Sequence, residues 1–369
     1  MRVLCVIDSL GSGGAQRQFV NIANGLARQH DVEVLLYNPG SDFYKGDLNT
    51  NIPIHRIERP AGARGFRMDV VLRLIRHARQ SDAIISFLPT ANIYCAIAAA
   101  FSSQVRHVSC EMSVVNETEG RLRRGLADLA NRRSDHVICN SFTQADYIAG
   151  RPGMGGKVST VWNGCAELDF AERDLSARSI YDFLVVARVA FPKNGVRLVE
   201  ALEIFRSRNG YVPRVAWAGR DDLDDRARQM KVQMLDFLAA HPQVQDNFTW
   251  LGEVSNVESL YEQAGALLSV STYEGVPVVI CEAMFSGCPV VASQISDNAI
   301  ILGDGARGFL CDPLSPEDIC LALERRLNAS PADLQSMIEG ARTYAMENFS
   351  ISKMVEGYDR VLAKLAKTA

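Results

Sequence analysis

Two glutamates, Glu274 and Glu282, bracket the run Gly-Val-Pro-Val-Val-Ile-Cys, and the residues between them read as the start of a helix. Proline suits the first helical position because the N–H it lacks would be unpaired there, so Pro277 is expected at that position. The stretch Val278 to Phe285 continues the helix, and Gly287 is a natural cap. Glu274 then lies in the loop ahead of the helix and Glu282 inside it. Free backbone N–H groups and the positive end of the helix dipole lie between them, which makes an anion site. A carboxylate pair on its own reads as acid–base chemistry of the glycosidase kind. Beside a phosphate cradle the same pair reads as acceptors for hydroxyl hydrogen bonds, and the combination points to a nucleotide sugar.

Two cations extend the pattern. Arg188 follows the apolar run Phe183-Leu-Val-Val-Ala, and Lys193 arrives at the start of the next helical segment. Cations at the carboxyl edge of a parallel sheet lie where open α/β sheets bind ligands. Arginine forks two phosphate oxygens, and lysine supplies a point charge. Taken alone, an Arg and a Lys at this spacing are an ordinary solvated pair; beside the Glu274 loop they read as a diphosphate grip.

The first βα turn, Ser9-Leu-Gly11-Ser-Gly13-Gly14-Ala15-Gln16-Arg17, lets backbone approach a ligand at a helix start. A dinucleotide enzyme would place glycine where Gln16 stands and an acid at the end of the second strand, where Tyr37-Asn-Pro39 stands instead. The NAD reading fails at both places, and a glycine turn without a ligand is the plainer alternative. Asp221, Asp222, Asp224 and Asp225 alternate with Arg220 and Arg226 and read as a solvated turn and helix start, not a metal site. Asn140, Ser141 and Thr143 read as a helix cap. None of the six histidines joins a G-x-S-x-G motif, so a hydrolase triad is unsupported.

These residues need elements to hold them. Strands are expected at Arg2–Ile7, Val32–Tyr37, Ala83–Phe87, Val105–Ser109, His136–Cys139 and Lys157–Val161. A second series follows at Tyr181–Val186, Arg214–Ala218, Phe248–Leu251, Ala266–Val270, Pro289–Ala292 and Gly308–Cys311. Amphipathic segments such as Ala15–Gln29 and Asn194–Arg208 separate them, and alternation of this kind predicts parallel sheets covered by helices. The turn Asn163-Gly164 and the polar stretch Glu167–Asp174 mark a break, giving two similar α/β domains, 1–170 and 171–350. Residues 351–369 form a last helix with Met354, Tyr358, Val361 and Leu365 on one face.

Size and composition agree. A chain of 369 residues exceeds the usual single core, so two domains are expected. A net charge of −4 gives no case for nucleic acid. Nine cysteines without C-x-x-C or zinc spacing read as buried thiols of a reducing cytoplasm. The opening run Met1-Arg-Val-Leu-Cys-Val-Ile-Asp8 reads as a buried strand and not a signal peptide, and no stretch is long enough to span a bilayer, the nearest being Ile93 to Phe101. A cytoplasmic protein is expected, reaching the inner face of the plasma membrane only by peripheral contact. Arginines 56, 59, 64, 67, 73, 76 and 79, and 121, 123, 124, 132 and 133, form two patches suited to anionic headgroups or phosphorylated acceptors, or equally to solvated helix faces.

With these residues in place, the chain resembles the retaining glycosyltransferases of family 4, which have the GT-B fold. The resemblance spans nearly the whole chain: the opening strand with Gly13-Gly14-Ala15, the Asn163-Gly164 turn, Arg188 with Lys193, Glu274-x7-Glu282, Trp250-Leu-Gly252 with Val254, and Gly303-Asp-Gly305 with Gly308-Phe-Leu. The segment Ser86-Phe-Leu-Pro-Thr90-Ala-Asn92 is similar to transferases that extend lipid-linked oligosaccharides. The resemblance implies two facing Rossmann-like domains, the last helix packing back on the first.

It also implies roles. Arg188 and Lys193 would hold the donor diphosphate and stabilise the departing nucleoside diphosphate. Glu274 would bond donor-sugar hydroxyls, the amides of Gly275 and Val276 would join the phosphate cradle, and Glu282 would grip the ribose. Gly252 and Val254 would frame the base. Gly13 and Gly14 would let the first domain close on the donor, with Gln16, Asn92 and Glu111 on the acceptor side. Many members carry a histidine after the fourth first-domain strand. Here the stretch is His107-Val-Ser-Cys110-Glu111-Met112, where His107 stands too early and Glu111 is the candidate for that slot.

The expected reaction moves a hexosyl or N-acetylhexosaminyl group from a nucleoside diphosphate sugar, UDP-linked, to an acceptor hydroxyl with retention. It needs no cofactor beyond the donor co-substrate and no metal, and it would serve polysaccharide or lipid-linked oligosaccharide assembly. The competing readings are a GT-B protein that binds sugar nucleotides with little turnover, and a GT-B epimerase or phosphorylase.

Overall fold

The computed structural model describes residues 1–60, 65–102, 104–112, 121–166 and 179–367. The polar stretch Glu167–Asp174, the expected division at 170/171 and Arg64 lie outside the described residues, as does the side chain of Arg121. The chain divides into two compact units, Met1–Gly164 with Phe349–Ala369, and Cys165–Asn348.

The first unit is built on strands β1 (Arg2–Ile7), β2 (Asp31–Leu36), β3 (Ile54–Arg56), β4 (Ala83–Phe87), β5 (Arg106–Glu111), β6 (His136–Cys139) and β7 (Val158–Thr160). They form one sheet in the order β3-β2-β1-β4-β5-β6-β7, every neighbouring pair parallel. A parallel sheet is covered on both faces, so its strands must be apolar at successive positions. In β1, Val3, Cys5 and Ile7 enter one core with Phe19, Ile22 and Phe87, while Leu4 and Val6 enter the opposite core with Val70, Leu74 and Tyr94. The chain returns after the second unit as the helix Ile351–Ala366, capped by Ser350, whose hydroxyl accepts from the Lys353 amide at 3.1 Å. Met354, Tyr358, Val361 and Leu365 bury themselves in the first of these cores. Gly164 makes room for that return, because a Cβ there would stand 2.8 Å from the Ile351 Cα.

The second unit holds β8 (Phe183–Val186), β9 (Val215–Ala218), β10 (Phe248–Gly252), β11 (Leu267–Ser269), β12 (Val290–Ser293) and β13 (Phe309–Cys311), ordered β10-β9-β8-β11-β12-β13 and parallel throughout. Phe183, Val185 and Trp217 pack under Phe205 and Met234 of the overlying helices.

Twelve of these strands fall within two residues of their expected positions. The exception is β3, an edge strand of three half-buried residues without the apolar run that marked the others. One expectation is corrected. Pro277 is not the first helical residue but the cap before it, with ψ at 113°, and the helix spans Val278–Phe285. Gly287 follows with φ at +70°, the left-handed conformation expected of the residue that ends this helix.

Both sheets reverse direction once, and that crossing is where open α/β sheets bind ligands, outside the carboxyl ends of the strands. In the second unit the crossing lies between β8 and β11, so the loops after these strands, carrying Arg188 with Lys193 and Glu274, are brought side by side. In the first unit it lies between β1 and β4: the loop after β1 carries Gly13, and the opening turns of the helices that follow β1 and β4, Gly14–Leu26 and Pro89–Ala100, carry Gln16 and Asn92.

Candidate functional site

Lys193 and Glu274 meet. The Lys193 ammonium is ion-paired with Glu274 Oε1, and both side chains are largely shielded, at 23% and 20% exposure. The same oxygen accepts a hydrogen bond from Ser271 Oγ at 2.9 Å. The loops that carry the two residues are tied through the backbone, the Thr272 N–H donating to the Pro192 carbonyl at 2.8 Å. Asn194 fixes the approach. It sits in the left-handed region, φ +62°, is buried, and donates from Nδ2 to the carbonyls of Val270 at 3.0 Å and Pro313 at 2.7 Å. One amide thus clamps the Lys193 turn to the end of β11 and to the loop beyond β13. Gly275 and the buried Val276 lie between Glu274 and the amino end of the helix Val278–Phe285, whose first amides have no partner within the helix. A cation, a carboxylate and a helix start therefore share one loop edge.

The other second-unit residues have their own partners. Arg188 is ion-paired with Asp222 and is 55% exposed, so its guanidinium is available at the surface. Glu282, in the body of the helix, accepts from the Tyr261 hydroxyl at 3.0 Å. Burial, and then the Glu282 charge, hold the Tyr261 phenol well above its usual range, which keeps it a donor. Gly252 ends β10 with φ at +67°, at a break in register, and its carbonyl accepts from the Gly219 N–H at 2.7 Å. Val254 follows in the next loop, half-buried. The remaining acids of the Asp221–Asp225 run are spent locally: Asp221 on Lys231, Asp225 on Arg228, and Asp224 on the cap of the helix Asp225–Ala240.

In the first unit, Asp8 Oδ1 at the end of β1 accepts from the Ser9 amide at 2.7 Å and from Gln16 Nε2 at 3.1 Å. Gly13 caps the helix Gly14–Leu26, and a Cβ on it would meet Gln16 Oε1 at 2.1 Å; around Gly14 the space is open. Asn92 and Glu111 are buried, at 0% and 4% exposure, and bonded to each other: Asn92 Nδ2 donates to Glu111 Oε1 at 3.1 Å, as does Asn131 Nδ2 at 2.9 Å. The network continues inward. Ser86 Oγ donates to Asn92 Oδ1 at 2.7 Å and accepts from His107 Nε2 at 2.8 Å, an assignment that leaves Nδ1 unprotonated and facing Ser134 Oγ at 3.2 Å. Complete burial pushes the His107 imidazole down to about 4. His107 is thus a neutral core histidine. Of the arginine patches, Arg67 is buried and bonded to Asp69 and to the carbonyls of Tyr37 and Glu58, and Arg56 is bonded to Asp42, so both serve the fold.

Residues 12–166 match the family model described as Glycosyltransferase Family 4, and residues 175–344 match the one described as Glycosyl transferases group 1. The chain belongs to this family of glycosyltransferases. Over 382 aligned residues the glycosyltransferase is 25% identical to the GalNAc-alpha-(1->4)-GalNAc-alpha-(1->3)-diNAcBac-PP-undecaprenol alpha-1,4-N-acetyl-D-galactosaminyltransferase of Campylobacter jejuni, 99% of each chain being covered. It is 26% identical over 187 residues to the O-antigen chain mannosyltransferase RfbU of Salmonella typhimurium, covering 50% of this chain and 49% of the relative. Among solved structures, Anabaena Alr3699/HepE in complex with UDP superposes with a TM-score of 0.83 at 18% identity, covering 99% of this chain and all of that one. Sucrose-phosphate synthase of Thermosynechococcus elongatus superposes at 0.79 and 15% identity, with both chains covered in full. These likenesses show the GT-B fold.

Sequence reasoning singled out ionic candidate residues and missed the side chains that partner them in the structure. Ser271, Tyr261, Asp222 and Asp8 touch candidate residues directly, and Asn194 holds the turn that carries Lys193. Only Asn194 had a signal, an asparagine just ahead of a helix at a position that demands positive φ.

Proposed function

We propose that this glycosyltransferase moves a hexosyl or N-acetylhexosaminyl group from a UDP-linked sugar to a hydroxyl of a lipid-linked oligosaccharide or polysaccharide precursor, with retention at the anomeric carbon. The observation that carries the proposal is the Lys193–Glu274 pair, held at the strand crossing beside the start of the helix Val278–Phe285. A donor diphosphate would draw Lys193 away from Glu274 and Arg188 away from Asp222, freeing Glu274 to accept from the sugar hydroxyls. The amides of Gly275 and Val276 and the helix start would meet phosphate oxygens. Glu282, oriented by Tyr261, would take the ribose hydroxyls, and Gly252 with Val254 would frame the base. Gly13, Gly14 and Gln16 would serve from the first unit, with the Asn92–Glu111 pair stiffening the acceptor side.

In the step itself the bond from the anomeric carbon to the diphosphate oxygen breaks and a bond to the acceptor oxygen forms on the same face. The acceptor proton passes to the leaving phosphate oxygen, so no dedicated base is required. Fixed cations and oriented amides stabilise the charge on the departing diphosphate, a contribution of about 3–4 kcal/mol for each well-placed donor. This arrangement works without a metal ion. The Campylobacter relative, named for a PP-undecaprenol substrate, and the Anabaena structure with UDP support the acceptor and donor classes. Peripheral association with an anionic membrane face is supported by the helix Arg121–Arg133, which exposes Leu126 and Leu129 beside Arg132 and Arg133.

The test is incubation with labelled UDP-sugars and an undecaprenyl diphosphate-linked glycan, followed by determination of the product's anomeric configuration. Transfer with retention that persists in excess chelator is expected. Inversion, or complete loss rescued by Mg²⁺ or Mn²⁺, would refute the mechanism, and donor binding without transfer to any acceptor would favour a sugar-nucleotide-binding role.

A further inference from the structure

A second constellation lies away from the crossing of the first sheet. Glu33 stands in β2, His55 in the edge strand β3, and His77 in the last turn of the helix Met68–Ala78, which returns the chain to the amino end of β4. One ligand atom from each of the three lies within 4.8 Å of the others. Glu33 Oε2 is 2.9 Å from His55 Nε2 and 3.8 Å from His77 Nδ1, and the two imidazole rings are 4.3 Å apart between centroids. Donors about 2.0–2.2 Å from a tetrahedral Zn²⁺ stand about 3.3–3.5 Å from one another, so the three atoms need only shifts of an ångström or less to share one ion.

We propose that Glu33, His55 and His77 form a binding site for a first-row divalent cation, Zn²⁺ foremost, with water completing the coordination. Two neutral imidazoles and one carboxylate are the donor types such an ion prefers. The side chains are 43%, 36% and 21% exposed, which gives the ion an entry path and leaves a coordination position to solvent. Burial first, and then the charge of His55, hold the His77 imidazole below its usual range, against the opposing pull of Glu33. Arg73 and Arg76 place positive charge nearby and weaken the site, so it is a loadable clip and not a permanent structural centre. No bond of the transfer reaction passes through it. Its effect is mechanical: one ion joins the outermost strand, its neighbour and the helix that covers them, at an edge where β3 contributes only three residues.

The experiment uses the full chain, stripped with chelator and titrated with ZnCl₂ and CoCl₂ alone. One equivalent should bind, Co²⁺ should show d–d bands without a thiolate charge-transfer band, and the melting temperature should rise with Zn²⁺ concentration. The last two readouts separate this site from the nine cysteines, all of them buried. Single variants His55→Ala and His77→Ala should each weaken binding by at least about tenfold. Glu33→Gln, which keeps the shape of the side chain and spares the fold, should do the same. Absence of stoichiometric uptake by the wild type, an unchanged affinity in Glu33→Gln or in a folded His55→Ala/His77→Ala double variant, or a thiolate band would overturn the proposal. Transfer activity should be the same with and without the ion.

Discussion

Asn194 shows how much a single amide can decide. It takes the positive φ that lets Lys193 arrive at the crossing, and its Nδ2 serves two carbonyls from different loops. Asn194→Ala leaves those carbonyls unpaired in a buried place and strains the backbone, which should cost about 1–3 kcal/mol in urea unfolding and reduce transfer through displacement of Lys193. Asn194→Gly restores the φ without the hydrogen bonds and should fall between. Removing the charged partners acts differently: Glu274→Ala and Lys193→Ala should leave the fold intact and lower kcat by at least about a hundredfold, read as initial rates of sugar transfer. Near-normal rates in Glu274→Ala would sink the assignment. His107 makes a pH prediction. Its folded value near 4 lies below the value of about 6.5 expected unfolded, so the unfolded chain binds the extra proton; stability is full above pH 6.5 and declines toward pH 4. Between pH 7 and 5 the wild type should lose on the order of 2 kcal/mol more than His107→Gln in urea unfolding. At this scale the sequence exposed the charged residues, because charge beside glycine and proline is conspicuous in a line of letters. It hid Tyr261 and Asp222, whose types are common and whose meaning comes from the fold that sets them against Glu282 and Arg188, and it hid Ser271, a common type that bonds Glu274 three residues on in the same loop.

Elements meet where side chains are missing. A Cβ on Gly25 of the helix Gly14–Leu26 would stand 2.2 Å from Val355 Cγ2 of the helix Ile351–Ala366, so these helices approach through the gap left by one hydrogen atom. Gly25→Ala should destabilise the first unit by about 1–3 kcal/mol, and adding Val355→Ala should recover much of that loss, a non-additivity measurable by a double-mutant cycle. Gly219 tolerates less. A Cβ there would lie 1.9 Å from the Ala187 carbonyl oxygen, and backbone cannot turn aside as a side chain can. Gly219→Ala should therefore shift the Ala187–Arg188 segment and weaken UDP binding, seen by calorimetry, together with stability. Most strands were legible because a sheet covered on both faces needs continuous apolar runs such as Val3 to Ile7. β3 was not, because a three-residue edge strand, Ile-His-Arg, carries no such run. The helix Val278–Phe285 was legible to within its first residue: proline and glycine punctuate it, and the error lay in which side of the boundary Pro277 occupies.

At the scale of the molecule the two units are built alike, each with one strand crossing, yet they are not alike in continuity. The second unit is one stretch of chain, and its core draws on that stretch alone. The first is closed by the last helix, whose periodicity disclosed its apolar face while its destination came only from the family resemblance. A fragment spanning residues 165–348 should fold cooperatively by itself, and residues 1–164 should show a cooperative urea transition only when 349–369 is supplied, followed by circular dichroism. The return at Gly164 and Ile351 also sets an order of events during synthesis. A ribosome ordinarily releases domains to fold in the order they are made. Here the first unit waits with Phe19, Ile22 and Phe87 lacking their cover until the whole second unit has been translated, so the half made first is the half completed last. For that interval one face of the sheet is covered by the helix Gly14–Leu26 but not by its last helix, and the chain's demand for a chaperone is written into the path of that single helix.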